Sequence, residues 1–511
     1  MNRSVLGYFA TVLTAVFLFS LAGCSGSAPP GDSAPSDSTS AAGDELGKPF
    51  PELTLLYNTS ENHKKIAEAI SDMWYKELGI KIQLNNVEWK IYLDKRDELD
   101  YDIARAGWIG DYADPNTFLD MWVTGGGQNK TGWSNEKYDS LIRAAGLELD
   151  PEKRMAILAE AEDFLINEGM PIIPIYYYVN KNVVQTYVKG MHFNLRDQHP
   201  LKYVYIEKDG KVLPHDQQVF RFNNGTEPET LDPALMTGDP EFNIATQLFD
   251  GLVEYHPETL EPLPAVAKSW DISDDGLVYT FHLRDDVLWS NGEKVTARDF
   301  RFSWIRALSP ETASDYAFQL YYIKNGEPFF KGEIDNPDQV GIDVIDDYTL
   351  EVTLESPTPY WLDLLAFHTF LPVNKECVET HGSKWTRPGN IVTNGPFLLD
   401  EWAIKDRIVM VKNPDYYDAD EVKLKKIISY AIEDRTADLN MFKAKETDWI
   451  RTILITPIQE WKDKPETHIT PFLATYYYML NTTKPPLDNP DVRKALNLAI
   501  DKEEIGRASC R

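Results

Sequence analysis

The chain has 511 residues, long enough for two or three domains and a large buried core. Aromatic residues are plentiful, with 13 Trp, 26 Tyr and 22 Phe, a supply that suits broad contact surfaces as well as cores. The formal net charge of −30 leaves no basic stripe to neutralise phosphates, which excludes a nucleic-acid partner and reads as solubility.

The N-terminus carries a short positive region, Met1-Asn2-Arg3, then an apolar run from Val5 to Ala22 and small residues leading into Cys24. That pattern predicts a secretory signal peptide over residues 1–23 and not a stable membrane span. The ending Leu21-Ala22-Gly23-Cys24 resembles a lipobox, which implies cleavage before Cys24 and a lipid on its sulfur. Acyl chains there would hold the protein at a membrane surface in the cell envelope. The remaining cysteines, Cys377 and Cys510, offer neither a disulfide framework nor a zinc pattern. Residues 24–47 are rich in Ser, Ala, Pro, Gly and Asp and read as a flexible tether.

Folded sequence begins near Pro51. Leu53 to Tyr57 reads as a strand, and Ser60 is placed to cap a helix with Ile66, Ala69, Ile70 and Met73 on one face and Gly79 at its end. Ile80, Ile82 and Leu84 alternate as a further strand, so the unit predicts a parallel pair in an α/β domain. Asp150-Pro151 opens another helix, with Met155, Leu158, Ala161, Phe164 and Leu165 as its apolar face and Gly169 at its close. Ile172 to Tyr178 reads as extended. The polar stretch Glu207 to Lys211 marks a boundary. Beyond it, many strands are separated by turn signals at Asp274-Asp275-Gly276, Ser290-Asn291-Gly292 and Asp346-Asp347. Asn489-Pro490 opens a last helix carrying Val492, Ala495, Leu496 and Ala499.

Several long motifs then resemble one family, the bacterial extracytoplasmic solute-binding proteins of family 5. Thr230-Leu231-Asp232-Pro233, Leu263 to Trp270, Tyr279 to Arg284, Trp289 to Gly292, Gly389 to Phe397, and Tyr476-Tyr477-Tyr478 through Lys484-Pro485-Pro486 resemble its N-terminal lobe. Leu55 to Ser60, Glu88-Trp89-Lys90, Ala104 to Trp108 and Pro174 to Asn180 resemble its C-terminal lobe. Residues 48–211 are therefore assigned to a C-terminal-lobe block and residues 212–504 to an N-terminal-lobe block, in the reverse of the family's order and without its connecting stretch. Ile505 to Arg511 resembles the translation of a sequencing adapter and is set apart as a tail. A misassembled reading frame, a fusion of partial copies and a circular permutation would each give this order.

The resemblance implies a two-lobed, periplasmic-binding-protein-like α/β (mixed α+β) fold of type II architecture. Its lobes would close by hinge bending around an oligopeptide for delivery to an ABC permease, the protein acting as a monomer without cofactor or metal. Asp111 matches the family aspartate that takes the peptide's α-ammonium. Arg105 and Arg96 match arginines near the carboxylate end, although Arg96 sits among Asp94, Asp97 and Glu98 and a local ion pair competes. Trp89, Trp108 and Tyr178 match aromatic walls of side-chain pockets. Gln128 and Asn129 fall where the family has pocket asparagines, after a departing Gly125-Gly126-Gly127 that reads as a turn. Tyr316 and Asn481 match ligand-facing positions, while Thr237 replaces an acidic one. With nine His and no catalytic or phosphate-cradling motif, no enzyme activity is expected. Two alternatives stay open: another cargo within the family (dipeptide, nickel chelate, haem or sugar), and a surface lipoprotein acting as chaperone or adhesin.

Overall fold

The computed structural model describes residues 50–453 and 455–510, so the signal segment, Cys24 and the tether lie outside the described residues. Its spine is a ten-stranded sheet. In chain order the strands are β1 (Leu53–Asn58), β2 (Ile82–Val87), β3 (Ile103–Ile109), β4 (Ile172–Val184) and β5 (Val219–Asn223), then β6 (Phe397–Ala403), β7 (Arg407–Lys412), β8 (Lys426–Tyr430), β9 (Trp449–Ile450) and β10 (Thr467–Leu480). Across the sheet they run β6-β7-β8-β5-β9-β4-β10-β3-β1-β2.

β1 and β2 pair in parallel, Leu53 opposite Ile82, as the strand–helix–strand pattern predicts. The helix between them, Glu61–Leu78, ends at Gly79 with φ +69, a left-handed position where only glycine escapes a Cβ penalty. Ser60 precedes it without a side-chain cap bond, and the second strand starts at Ile82, two residues later than the alternation suggests. Asp150 does cap helix Pro151–Asp163, accepting the N–H of Glu152 and of Lys153 at 3.1 Å. Leu158, Ala161 and Leu165 are buried there, but Met155 is exposed, because the buried stripe is narrower than the apolar one. All three turn signals hold. The first and third close hairpins of a four-stranded antiparallel sheet over Ala267–Ile272, Val278–Leu283, Ile342–Asp346 and Thr349–Thr353; the second is closed by the Leu288–Lys294 bridge.

The period-two alternation of the central strands decides where the cores lie. Leu53, Leu55, Ile103, Tyr476 and Tyr478 pack on one face with Trp74 and Leu496. Leu56, Ala104, Ala106 and Tyr477 pack on the other with Trp122, Tyr138 and Leu158. These two cores make a smaller lobe. The larger lobe is one continuous core that includes Phe220, Phe222, Trp289, Trp304 and Trp361.

The lobes in space are not the two blocks of the sequence. Val184, Val188, Leu201 and Ile206 of the first block lie in the larger core. Tyr476, Leu487 and Leu496 of the second, with Ile505 beyond it, lie in the smaller. Ile505, assigned to the tail by sequence, is thus a buried core residue. The polar stretch at Glu207 to Lys211 is a hairpin turn, with Asp209 and Gly210 at positive φ. The lobes are instead joined by β4 and β10, long antiparallel partners of 13 and 14 residues that serve both. Among the described residues no helix is long and apolar enough to cross a membrane.

Candidate binding site

Between Pro471 and Thr475 the register of β10 against β4 shifts, because Phe472, Leu473 and Ala474 are not matched one for one by the partner strand. Such a bulge re-aims side chains out of the pleat. Leu473 leaves the β4 ladder and exchanges backbone bonds with the loops on either side, accepting from Gly110 N–H at 2.8 Å and donating to Leu195 at 2.6 Å. Phe472 then lines two adjoining cavities, and so does Trp108 near the end of β3.

The first cavity, of about 400 Å³, lies where the end of β3, the loop at Arg196 to Gln198, the start of helix Asp239–Leu248 and the segments at Tyr316 and His368 converge. It is therefore lined from both lobes. Asp111 enters it just past β3, its backbone N–H donating to Thr117 Oγ1 at 3.0 Å. The Asp111 carboxylate forms no ion pair among the described residues. Its side-chain contact is Gln319, which donates to Oδ2 at 3.4 Å. Burial pushes the carboxyl up to about 6, against the pull of nearby Arg196. Tyr316 and Thr237 line the same cavity. Tyr316 packs on Phe367 and His368, at centroid distances of 5.2 Å each. His368 is held down to about 4 by burial, so it is neutral above that pH.

The other sequence candidates sit elsewhere. Arg105 lies on the opposite face of β3 from Trp108: it donates to Tyr178 Oη at 3.0 Å and lies 4.8 Å from the Tyr476 ring centroid, and its Nε is buried without a partner. Tyr178 stands beside it, at the Cα of cavity-lining Gly107. Arg96 pairs with its neighbour Asp97 at 2.8 Å, the local ion pair that its acidic surroundings favour. Trp89 is half exposed and stacks on Tyr92. Gln128 is exposed on the glycine turn. Asn129 is spent on its own loop, donating to the carbonyls of Trp122, Val123 and Trp133. Asn481 is fully buried and donates to the carbonyls of Leu99 and Tyr101, both at 2.9 Å. Both asparagines hold backbone, and neither lines the two cavities.

The cationic groups that do line the first cavity are Arg196 and Arg451, which sequence reasoning missed. Arg196 donates to Tyr255 Oη at 2.8 Å. Arg451 reaches Asp197 at 3.5 Å, and its Nε is buried without a partner. They are far apart in the sequence, and the fold brings them to one cavity. The adjacent charges Arg196-Asp197 in a loop were the available signal for the first of them. Among the described residues no group of side chains could hold a metal ion.

The two-lobed α/β fold and the cavity lined from both lobes define a solute-binding protein. The chain belongs to the bacterial extracellular solute-binding proteins, family 5 Middle, whose profile matches residues 34–130 and 261–509. It is similar to the periplasmic oligopeptide-binding protein OppA of Escherichia coli (strain K12), 40% identical over 301 residues that cover 58% of this chain and 55% of that protein. It is 37% identical over 303 residues to the oligopeptide-binding protein OppA of Bacillus subtilis (strain 168), covering 58% and 55%. Among solved structures, a periplasmic oligopeptide-binding protein from Borrelia burgdorferi matches with a TM-score of 0.51 at 37% identity, covering 57% of this chain and 58% of that one. The chain spans about half the length of the curated relatives it matches.

Proposed function

We propose that this protein captures oligopeptides in the first cavity and delivers them to an ABC permease in the membrane, held there by a lipid on Cys24 and doing no chemistry on the cargo. The observation that carries the reading is Asp111: a partly buried carboxylate that forms no ion pair among the described residues, in a cavity lined from both lobes. An unpaired buried charge is costly, and an arriving ammonium group offsets that cost. Every unmodified peptide supplies one at its N-terminus. Trp108 and Tyr316 are the apolar walls beside it. Arg451, rather than Arg105 or Arg96, takes the carboxylate end, since it lines the cavity and its Nε is buried without an acceptor. Strand-like pairing with the ligand backbone would supply affinity without reading side chains.

The test is calorimetry with free and N-acetylated forms of the same peptides. Asp111→Ala should weaken the free forms at least about tenfold, the scale of one charge-assisted hydrogen bond, and leave the acetylated forms nearly unchanged. Equal losses for both would remove Asp111 from the ammonium role.

A further inference from the structure

The loop that carries Arg196 also holds His199, sealed in with 3% of its side chain exposed. Both of its ring nitrogens meet oxygen. Nδ1 lies 2.7 Å from the carbonyl oxygen of His192, and Nε2 lies 2.9 Å from Asp197 Oδ1. A carbonyl only accepts. Burial works to raise the Asp197 carboxyl, but His199, Arg451 and Asn182 hold it below its ordinary value, so it too only accepts. Two acceptors require two N–H donors, and an imidazole carries two only in its charged form. The Trp449 ring beside it, at 4.8 Å and 74°, suits a charged neighbour.

Asp197 is therefore shared. Asn182 donates to Oδ1 at 2.8 Å, and Arg451 reaches Oδ2 at 3.5 Å, too long for a strong bond. One carboxylate stands between two cations, so the Arg451 guanidinium keeps part of its charge uncompensated where it lines the first cavity. The other charged groups around His199 are engaged elsewhere. Glu254 pairs with Lys202, and Asp250 accepts from the hydroxyls of Tyr416 and Tyr417. The His192 ring pairs with Glu258, Arg196 donates to Tyr255, and His468 stacks on the Phe193 ring that also meets His199.

We propose that His199 is a positioning residue for the ligand's carboxylate: charged, it shares Asp197 and leaves Arg451 partly uncompensated, and when it loses its second proton Asp197 falls to Arg451 alone and the hold on the carboxylate weakens. This rests on the peptide-capture reading and deepens it, making recognition of the carboxylate end depend on pH through a residue that touches no ligand. Whichever of its two bonds the neutral ring keeps, the charge that competes with Arg451 for Asp197 is gone.

The experiment is calorimetry on the full chain with pairs of tetrapeptides that differ only in a free or an amidated C-terminus. It runs from about pH 6 to pH 8.5, a span that takes an ordinary imidazole through its proton loss. Asp111 meets both members of a pair alike, so its own titration cancels in the ratio of their affinities. The preference for the free carboxylate should be roughly fivefold greater at the acid end, the scale of one screened unit charge nearby. His199→Gln, which keeps a donor and loses the charge, should show the lower preference at every pH. Asp197→Asn should show the higher preference at every pH, because nothing then compensates Arg451. Arg451→Gln should abolish the preference itself, and a preference that survives it rejects the proposal. A preference that neither pH nor His199→Gln alters overturns the proposal and leaves peptide capture standing, and so does a pH dependence that His199→Gln leaves intact. Equal binding of acid and amide at every pH overturns the role of Arg451 as well. Failure of every peptide to bind overturns the capture reading too. If His199→Gln does not fold, Asp197→Asn decides: a pH dependence retained there at full size rejects the proposal.

Discussion

With its carboxyl pushed up to about 6 by burial, Asp111 holds a proton in the empty cavity under mildly acidic conditions. The groups facing it are Arg196, Gln319 and Asp120, the last itself raised to about 7 by burial and by the charge of Asp111. The linkage has a definite sign. A carboxyl raised in the folded state contributes stability that is fully present below its unfolded value of 3.8 and is lost as pH rises through about 6. The empty protein should therefore lose stability between about pH 4 and pH 7 on account of this pair. Peptide binding should run the other way, since only ionised Asp111 attracts an ammonium. Affinity for free-amine peptides should fall about tenfold from pH 7 to pH 5, with about one proton released per peptide bound near pH 5. Calorimetry in buffers of different ionisation enthalpy measures that release. Asp111→Asn should bind more weakly and show no such pH dependence. A tenfold fall that persists in Asp111→Asn would place the titrating group elsewhere.

The elements were more legible than the contacts they make. Capping at Asp150, the glycine stop at Gly79 and the three hairpin turns depend on neighbours in sequence, and the fold keeps them. Asp111, Trp108 and Tyr316 were legible through resemblance and do line a common cavity. What sequence could not give was any fact set by chains crossing in space. The register shift in β10 that turns Phe472 toward the cavities arises from pairing with β4, about 290 residues away, as the Asn180–Pro471 bond between them records. Arg451 reaches the cavity from the end of β9, which also pairs with β4. Asn129 and Asn481 illustrate the converse: polar residues at positions expected to face a ligand, consumed by carbonyls that only the folded loops present. Asn129→Ala removes the one amide group that bonds the carbonyls of Trp122, Val123 and Trp133 and should cost roughly 1–3 kcal/mol in urea unfolding. Its peptide affinity should stay within about twofold, below the worth of a single typical hydrogen bond. A larger loss of affinity at unchanged stability would return Asn129 to the binding surface.

At the scale of the molecule, the lobes meet beyond the cavity as well as around it. Tyr112, which follows Asp111, stacks on Tyr360 of the larger lobe at 4.9 Å with an interplanar angle of 8°. Asn116 donates to the Tyr360 hydroxyl at 3.2 Å, and the Arg154 guanidinium lies 5.2 Å from the same ring centroid. Arg154 is oriented by a two-pronged pair with Asp114 at 2.6 and 2.7 Å, a geometry that fixes the guanidinium plane. Tyr360 is thus gripped by the Tyr112 ring, the Asn116 amide and the Arg154 cation, the ring being one residue of sequence away from Asp111. If Asp111 holds the ligand, the stack should couple binding to lobe closure, because moving Tyr112 off Tyr360 would carry the adjacent Asp111 with it. Tyr360→Ala should shift the population toward separated lobes, read as a larger radius of gyration in solution scattering. It should also speed peptide dissociation by roughly tenfold, given about 0.5–1.5 kcal/mol for the stack beyond its buried area. Tyr360→Phe keeps the stack and loses the hydroxyl, so its dissociation rate should lie between the two. If Tyr360→Ala scatters and releases peptide as the parent protein does, the stack is packing alone and closure is held by the ligand.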